Sequence, residues 1–388
     1  DEGYTPVVLA LENGHAEVAK LILEFNNITN TTDELAILLA NYGKRDNWGP
    51  IHFAAEAGMQ EQCKRLIEMG ANIDKQTDNG DTPLMLACRK EHYAIIKILL
   101  KKKANVLLEN IDGQTALHIA AEKGLIGICY KLISKDADMN KRLHSTGHTP
   151  LTLAAMKNQD AIVKMLIEEE ANVHLTAEAP VGPRENTPHK GWTGLHFAAQ
   201  CGNQEMCRKL IKAGINVNKQ TSRGYTALTI LMEKSNKSSI KDKESIASLL
   251  LDNGADVSLA TDSGNNALIL AGGTASKKLL QMLLRQKPNI NFENCEGKTA
   301  LYQSAYYGKE TLFKTLLNEG GEYIIRTRRG DTVAEFLDTK MTATHSKVKR
   351  IMAERLAADE QHKSSGIYFT HFLSFHFHLF HLISYKAL

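Results

Sequence analysis

DTPLMLACRKEHYAIIKILLKKKANVLLENIDGQTALHIAA, residues Asp81 to Ala121, says one phrase twice. Thr82-Pro83-Leu84-Met85-Leu86-Ala87 returns 33 residues later as Thr115-Ala116-Leu117-His118-Ile119-Ala120. Between the copies lie an apolar run at helical spacing (Tyr93 to Leu100), a Lys/Ala/Asn link and Asp112-Gly113. Carried outward, the Thr register falls on Thr5, Gly49, Thr82, Thr115, Thr149, Thr193, Thr226, Asn266, Thr299 and Thr332. Most steps are 33 or 34 residues, and the exceptions of 44, 44 and 40 are insertions into a regular period. A period of this size means stacked supersecondary units, none of which buries its own apolar face. Length alone points to two or three globular domains for 388 residues. The repeat replaces that with one quasi-linear array of about ten units over residues 1–357.

Each unit reads as turn, helix, turn, helix. Gly80, Gly113, Gly224, Gly297 and Gly330 stand two residues before the register position, where a tight turn wants positive φ. The register Thr is an N-cap candidate, and Pro6, Pro50, Pro83 and Pro150 follow it at a first helical position. Paired alanines at 54–55, 120–121, 154–155 and 198–199 keep the first helix thin enough to pack closely. Ile95, Ile96, Ile98, Leu99 and Leu100 give the second helix its apolar face. Steps such as Gly70-Ala71-Asn72 and Gly254-Ala255-Asp256 end it as left-handed C-caps.

Gly49-Pro50-Ile51-His52-Phe53-Ala54-Ala55, Thr115-Ala116-Leu117-His118-Ile119-Ala120-Ala121 and Thr193-Gly194-Leu195-His196-Phe197-Ala198-Ala199 are close to T-P-L-H-x-A-A, the signature of the ankyrin repeat. The chain resembles that family over residues 1–357. The resemblance implies an all-α repeat solenoid, an array of helix-turn-helix units joined by β-turn or hairpin fingers. It also gives His52, His118 and His196 a structural role, each ring hydrogen-bonding the backbone of an adjacent turn.

Composition bounds function mainly by exclusion. Formal charge is +3, from 47 basic against 44 acidic residues, which gives no push toward nucleic acid. Six cysteines contain no C-x-x-C pair, and Cys63, Cys129 and Cys207 each follow by five residues the Gly between the helices. That shared register makes them small core fillers in a reducing compartment, and a cytoplasmic location is expected. The sequons Asn27-Ile28-Thr29 and Asn30-Thr31-Thr32 come without a signal peptide and read as chance. No nucleotide, zinc-hydrolase or nucleophile-elbow motif occurs, so no enzyme activity, cofactor or metal is expected.

The irregular stretches come in a definite order. The chain opens at Asp1 inside the turn of a unit, and a piece of a longer protein is expected. Insertions fall near 27–46, where Asp33 to Tyr42 reads as an extra helix, at 176–190, an extended loop, and near 234–243, a charged excess within Glu233 to Glu244 expected to be solvated and mobile. Lys101-Lys102-Lys103 and the trio Arg326, Arg328 and Arg329 read as a solvated helix end and a solvated turn. Asn266 replaces Thr in the eighth unit, and Gly272-Gly273 disturbs its helix junction, marking an expected soft joint. The polar last unit, to Leu356, suits a terminal cap.

Residues 358–388 hold a polar linker and an apolar tail, Ile367 to Ser384. Its length just reaches that of a membrane span, but His371, His376, His378 and His381 oppose one, and an unstructured terminus is the favoured reading. The histidines are not spaced for a metal.

Trp48 and Trp192 hold the same register, one residue before Gly49 and Thr193. They belong to a larger coincidence: Thr5 and Thr149, His52 and His196, and Thr82 and Thr226 are each 144 residues apart. Lys75-Gln76-Thr77 likewise returns as Lys219-Gln220-Thr221. A four-unit block is duplicated. Each Trp is either an anchor for a partner or a packing residue under its own inserted loop.

The family resemblance places protein contacts on a concave strip of turn tips and first helices. On this sequence those positions are Trp48, Asp78, Asn79, Asp81, Arg89, Lys90, Gln114, Glu122, Lys123, Met156, Trp192, Gln200, Arg223, Tyr225, Lys298, Tyr306 and Tyr307. The expected function is a non-catalytic, monomeric interaction scaffold or adaptor for a protein or peptide. The competing reading is a membrane-anchored adaptor, or the cytosolic arm of a larger membrane or enzyme-containing protein.

Overall fold

A computed structural model describes residues 47–178, 189–236, 238–339 and 343–363. The first repeat, the helix expected at Asp33–Tyr42, the middle of the second insertion and the tail Ile367–Ser384 lie outside the described residues. Among the described residues no helix is long and apolar enough to cross a membrane. The chain divides into two compact units, Asp1–Asp262 and Ser263–Leu388.

In the first unit, helices come in short antiparallel pairs: α1 (Pro50–Ala57) with α2 (Gln60–Glu68), α3 (Pro83–Arg89) with α4 (Tyr93–Lys101), and α5 (Ala116–Lys123) with α6 (Ile126–Ile133). They continue as α7 (Pro150–Met156) with α8 (Asp160–Glu168), α9 (Gly194–Cys201) with α10 (Gln204–Lys212), and α11 (Ala227–Met232) with α12 (Ile240–Asp252). Each first helix packs on the first helix of the next pair. The second unit repeats this with α13 (Ala267–Thr274) and α14 (Lys277–Leu284), α15 (Ala300–Tyr306) and α16 (Glu310–Asn318), and α17 (Val333–Thr339) and α18 (Ala343–Lys363).

The register residue starts each first helix for the reason its chemistry suggests. Thr82 Oγ1 accepts from Met85 N–H at 3.2 Å, Thr226 Oγ1 from Thr229 N–H at 3.2 Å and Thr299 Oγ1 from Tyr302 N–H at 3.2 Å. A capping side chain of this kind satisfies one of the backbone donors that a helix start leaves open, worth about 1 kcal/mol. The paired alanines are fully buried, as are Leu84, Leu117, Leu151, Leu195 and Leu228, so the core is the seam between neighbouring first and second helices. Cys63, Cys129 and Cys207 fill that seam, where burial pushes each thiol up to about 12.

Fingers join the pairs. In one of them Thr77 N–H donates to Asp81 O at 3.0 Å and Gly80 N–H to Thr77 O at 2.7 Å; the same two bonds recur at Asn110–Gln114, Thr221–Tyr225, Asn294–Lys298 and Thr327–Asp331. Neighbouring fingertips are then stitched together, Ile111 N–H to Asn79 O at 3.0 Å and Ser222 N–H to Lys190 O at 3.1 Å. Gly80 shows why the turn excludes side chains: its φ is +77°, and a Cβ there would lie 2.7 Å from Asn110 Cα. On the far side, Asn105 N–H donates to Asp74 Oδ1 and Asn172 N–H to Asn140 Oδ1, each at 2.8 Å, tying successive loops.

Three stretches singled out in the sequence take definite form. The charged excess is not simply solvated: Ile240–Asp252 is a single helix capped by Ser239, and buried Asn236 donates to Ala199 O and Ile230 O. In the eighth repeat the substituted residues have structural roles, while the division between the two compact units falls just before it, at Asp262 and Ser263. Asn266 Oδ1 caps α13 at 2.9 Å, and Gly272 and Gly273 lie buried inside that helix, where a Cβ on Gly272 would meet Ala300 O at 2.4 Å. Those glycines buy close helix contact. The last helix, α18, runs past residue 357 to Lys363, and Tyr323 donates its hydroxyl to Asp359 on it at 2.8 Å.

The ends of the second insertion are pinned rather than protruding. Ala177 is buried and pairs with Trp192 in an isolated antiparallel bridge, Ala177 N–H to Trp192 O at 2.7 Å and Gly191 N–H to Ala177 O at 2.8 Å. Residues 179–188 between them lie outside the described residues.

Second helices end in a left-handed residue whether or not the sequence offers Gly. Gly70, Gly214 and Gly254 take this role in some repeats, but Lys103 (φ 65°) and Glu170 (φ 64°) take it in others. A side chain in that conformation costs about 1–2 kcal/mol. Lys103→Gly and Glu170→Gly should therefore each raise stability in urea denaturation by about 1 kcal/mol, while Gly80→Ala should lower it by more. Unchanged midpoints for both Lys103→Gly and Glu170→Gly would contradict the strain argument.

Candidate interaction surface

The fingers and first helices bring two register positions of each repeat to one surface: the residue before the cap and the seventh residue after it. In the first unit the former are Trp48, Asp81, Gln114, His148, Trp192 and Tyr225, and the latter Glu56, Arg89, Glu122, Met156, Gln200 and Glu233. They do not stand as independent contact groups.

Over the earlier repeats the polar side chains consume one another. Arg89 clasps Asp81 through two hydrogen bonds of 2.8 and 2.9 Å and reaches Gln114 Oε1 at 3.1 Å, while Asn110 donates to Asp81 Oδ1 at 3.0 Å. Burial alone would raise the Asp81 carboxyl, but the bonds from Arg89 and Asn110 hold it below its ordinary value. Across repeats, Glu56 pairs with Lys90 at 3.6 Å, Glu91 with Lys123 at 3.9 Å and Glu122 with Lys157 at 3.1 Å. Each acid meets the lysine of the next repeat. Such half-exposed pairs contribute little stability, yet they neutralise this part of the surface.

Among the described residues this run of acid–lysine pairs is seen as far as Lys157. Beyond it the surface turns aromatic. The Trp192 indole lies 4.9 Å from the Phe197 ring and 4.9 Å, edge-on, from His189, with His196 at 5.9 Å. Trp48 repeats this arrangement on Phe53 at 5.0 Å and His52 at 5.7 Å. The copies thus match in geometry as well as in spacing. Gln76 and Gln220 agree too: each amide donates to two carbonyls, Gly80 and Glu109 for the first and Gly224 and Ala260 for the second. Beside Trp192 opens a cleft of about 220 Å³ walled by Lys190, Gln200, Arg223, Tyr225, Glu233 and Asn236 among others. Burial and a hydrogen bond to Glu233 push the Tyr225 phenol up.

The signature histidines lie beneath this surface, not on it. His52 Nδ1 accepts from Gly49 N–H at 2.9 Å and its Nε2 bonds Lys75 O at 2.8 Å. His118 and His196 repeat both bonds, to Thr115 and Lys141 and to Thr193 and Lys219. One nitrogen accepting and the other facing a carbonyl requires the neutral ring with its proton on Nε2. Burial pushes all three, and His148, down to about 4. Among the described residues no group of three or more His, Cys, Asp or Glu is placed to hold a metal ion.

In the second unit the analogous positions form a tyrosine cluster. Tyr306 stacks on Phe336 at 5.6 Å and meets Tyr307 edge-on at 5.1 Å; both tyrosines stay exposed, at 46% and 39%. Lys298 sits 5.9 Å above the rings of Tyr302 and Tyr306 and pairs with Glu296. Arg326, Arg328 and Arg329 are all exposed, and Arg326 is bound to Glu335 by two hydrogen bonds of 3.0 and 3.1 Å. A larger cleft, about 500 Å³ between α17 and α18, has Leu337, Met352 and Leu356 on its walls and none of the surface residues above.

Of the positions expected to make contacts, Asp78, Asn79, Lys90, Lys123, Gln200, Arg223, Tyr306 and Tyr307 are exposed. Trp48, Arg89, Gln114, Glu122, Met156, Trp192, Tyr225 and Lys298 are half-buried, and Asp81 is buried in its ion pair. His148, His189 and Glu233 also belong to the aromatic region, outside the positions expected to make contacts. The register itself would have found His148 and Glu233, since they hold the Trp192 and Gln200 positions of neighbouring repeats.

Comparison with known proteins agrees with this architecture. The family model for ankyrin repeats (3 copies) matches residues 30–110, 103–177, 173–256 and 231–327. The chain is 28% identical over 327 residues to the Ankyrin repeat and KH domain-containing protein mask-1 of Caenorhabditis elegans, covering 76% of this chain and 12% of that protein. It is 27% identical over 227 residues to the E3 ubiquitin-protein ligase XBAT33 of Arabidopsis thaliana, covering 58% of this chain and 39% of the relative. The crystal structure of the human ASB11 ankyrin repeat domain aligns with a TM-score of 0.49 at 25% identity, covering 62% of this chain and 99% of that one. The chain therefore spans between 12% and 39% of the length of these two curated relatives.

The buried neutral rings fix the sign of the acid response. Each folded pKa, about 4, lies below the ordinary 6.5, so between those values the unfolded chain binds more protons. Stability should be full above pH 6.5 and fall as pH drops toward 4, by at most about 1.4 kcal/mol per pH unit for each ring. His118→Thr, which copies the residue at Thr152 and Thr229, should be less stable at pH 8 yet lose less on acidification. Thermal melts at pH 8, 6 and 5 would test this, and an acid loss as steep in the variant as in the parent would refute it.

Proposed function

The chain belongs to the ankyrin repeat family, and on that premise we propose that it is a non-catalytic scaffold or adaptor that binds partner proteins across its fingertips and first helices. Ankyrin repeats generally mediate protein–protein interaction, and the reading is carried here by one observation: among the described residues the acid–lysine pairs along the first helices run as far as Lys157, and the next repeats present the aromatic cleft at Trp192 in their place. Charged groups already paired with each other gain little from a partner. A half-buried indole beside Gln200 and Tyr225 gains much, since tryptophan and tyrosine dominate the energetics of protein interfaces. Recognition would use a surface already held by fingertip hydrogen bonds, with little backbone rearrangement.

Nucleic acid fits poorly, because the run of pairs alternates sign where a phosphate backbone needs a basic stripe. A second reading, favoured by the small share of its relatives that the chain spans, makes the array the recruiting arm of a longer protein. Both readings use the same surface.

Gln200 is exposed and Trp192 rests on Phe197, so the two substitutions separate binding from packing. In affinity capture with the full chain, proteins retained by the parent should be lost with Trp192→Ala and with Gln200→Arg, by about 10-fold or more. They should be retained by Lys164→Ala, an exposed change on a second helix. Trp192→Ala alone should also lower the melting temperature by a few degrees, while Gln200→Arg should leave it unchanged. Capture that survives Gln200→Arg would argue against this face.

A further inference from the structure

The two tryptophan sites are copies in fold but opposites in charge. Shifted by 144 residues, Asp46, Asp78 and Asn79 become Lys190, Ser222 and Arg223. Of these positions, Asp46 lies outside the described residues and enters only through the sequence. Everything beneath is kept: the indole on Phe and His, the glutamine clamp and the finger turn. What diverged is the rim a partner would meet first.

The rim at Trp192 is held rigidly. Ser222 binds Lys190 O twice, through its N–H at 3.1 Å and its hydroxyl at 2.9 Å, which sets Lys190 and Arg223 on adjoining fingertips. Neither cation forms an ion pair among the described residues. Two carboxylates lie close. Glu233 is taken by the Tyr225 hydroxyl, and Asp262, whose N–H holds Arg223 O at 3.1 Å, acts on Tyr225 from the next finger. The floor is the Trp192 and Tyr225 rings in a cleft of about 220 Å³, room for one large side chain.

We infer that this cleft receives a segment of a partner protein that places one large apolar side chain against Trp192 and an adjacent aspartate or glutamate on Arg223 and Lys190. The inference rests on the scaffold reading above and adds the chemistry of the ligand. The Trp48 copy, with Asp78 and Asn79 at its tip, is built to refuse the same segment. Duplication followed by charge inversion thus gives the surface a direction, because a partner that docks acid-first at one site is repelled at the other.

The test is selection of a random-peptide display library on the immobilised full chain, repeated on Trp192→Ala and on the double variant Lys190→Glu/Arg223→Glu. Both rim residues serve the fold through their backbone carbonyls, so the double variant keeps the framework; circular dichroism verifies it. Peptides that need Trp192 should be enriched in Asp or Glu next to an apolar residue, and those selected on the double variant in Lys or Arg. Synthetic copies of the first group should bind the double variant about 10-fold more weakly by fluorescence polarisation, with the difference shrinking between about 0.05 and 0.5 M salt. Trp192-dependent peptides with no acidic excess would overturn the charge assignment and leave the scaffold reading standing. Failure to recover any Trp192-dependent peptide would overturn the cleft itself, while the capture test with Gln200→Arg decides independently whether this face binds proteins.

Discussion

A neutral imidazole bridging two backbones sets the frame on which the rest of the structure is built. His52, His118 and His196 each take a hydrogen bond from the cap of their own helix and meet, through Nε2, a carbonyl 23 residues further on, at the root of the next finger. One side chain thereby fixes the angle between a first helix and the finger that follows its pair. The bond is strong because it is dry, and it is dry because the alanines of the same helix let the neighbouring repeat close over it. The same dryness makes the ring a poor catalyst: with a pKa near 4 and both nitrogens engaged, neither the Nε2 proton nor the Nδ1 lone pair is open to a substrate.

Repeats that lack this histidine show what it contributes. Thr152 and Thr229 hold its place, and their hydroxyls accept from the cap N–H at 2.8 Å. Threonine closes the helix start as well as histidine does, but it is too short to reach the following finger. The same division between kept frame and free rim governs the duplication. The indole, phenyl and imidazole stack and the glutamine clamp bear on packing or on backbone bonds and have not changed between copies. The two residues at the fingertip are freer, because the bonds that close the finger run through the backbone of its flanking residues and not through their side chains. Asp78 and Asn79 could become Ser222 and Arg223 without disturbing a hydrogen bond of the finger.

Surface chemistry then follows from how far charges reach. An acid on one first helix and a lysine on the next stand close enough to pair, as at Glu56–Lys90 and Glu122–Lys157. Met156 and Gln200 interrupt that relation by being uncharged. The interaction surface proposed for the first unit is thus placed where these acid–lysine pairs give way to uncharged and aromatic side chains. In the second unit the equivalent place is the exposed Tyr306–Tyr307 pair beneath Lys298, an aromatic and cationic patch of its own.

The sequence by itself determined the repeat, its register, the cap at Thr82 or Thr226, the turn at Gly80, the structural standing of the three histidines and the burial of Cys63, Cys129 and Cys207. All of these follow from contacts within one unit or from a register copied many times, so local chemistry suffices. It misjudged places where the answer lies in a neighbouring element. Gly272 looks like a flaw until α15 is seen pressing its Ala300 carbonyl against that spot, and Asn236 looks like a solvated loop residue until Ala199 O is found waiting for its amide. Tertiary structure alone decided that Glu56 belongs to Lys90, that Glu122 belongs to Lys157, and that the cleft opens at Trp192. Pairings across repeats join residues some thirty positions apart, and no periodicity within one repeat says which of several equally spaced charges will find its partner.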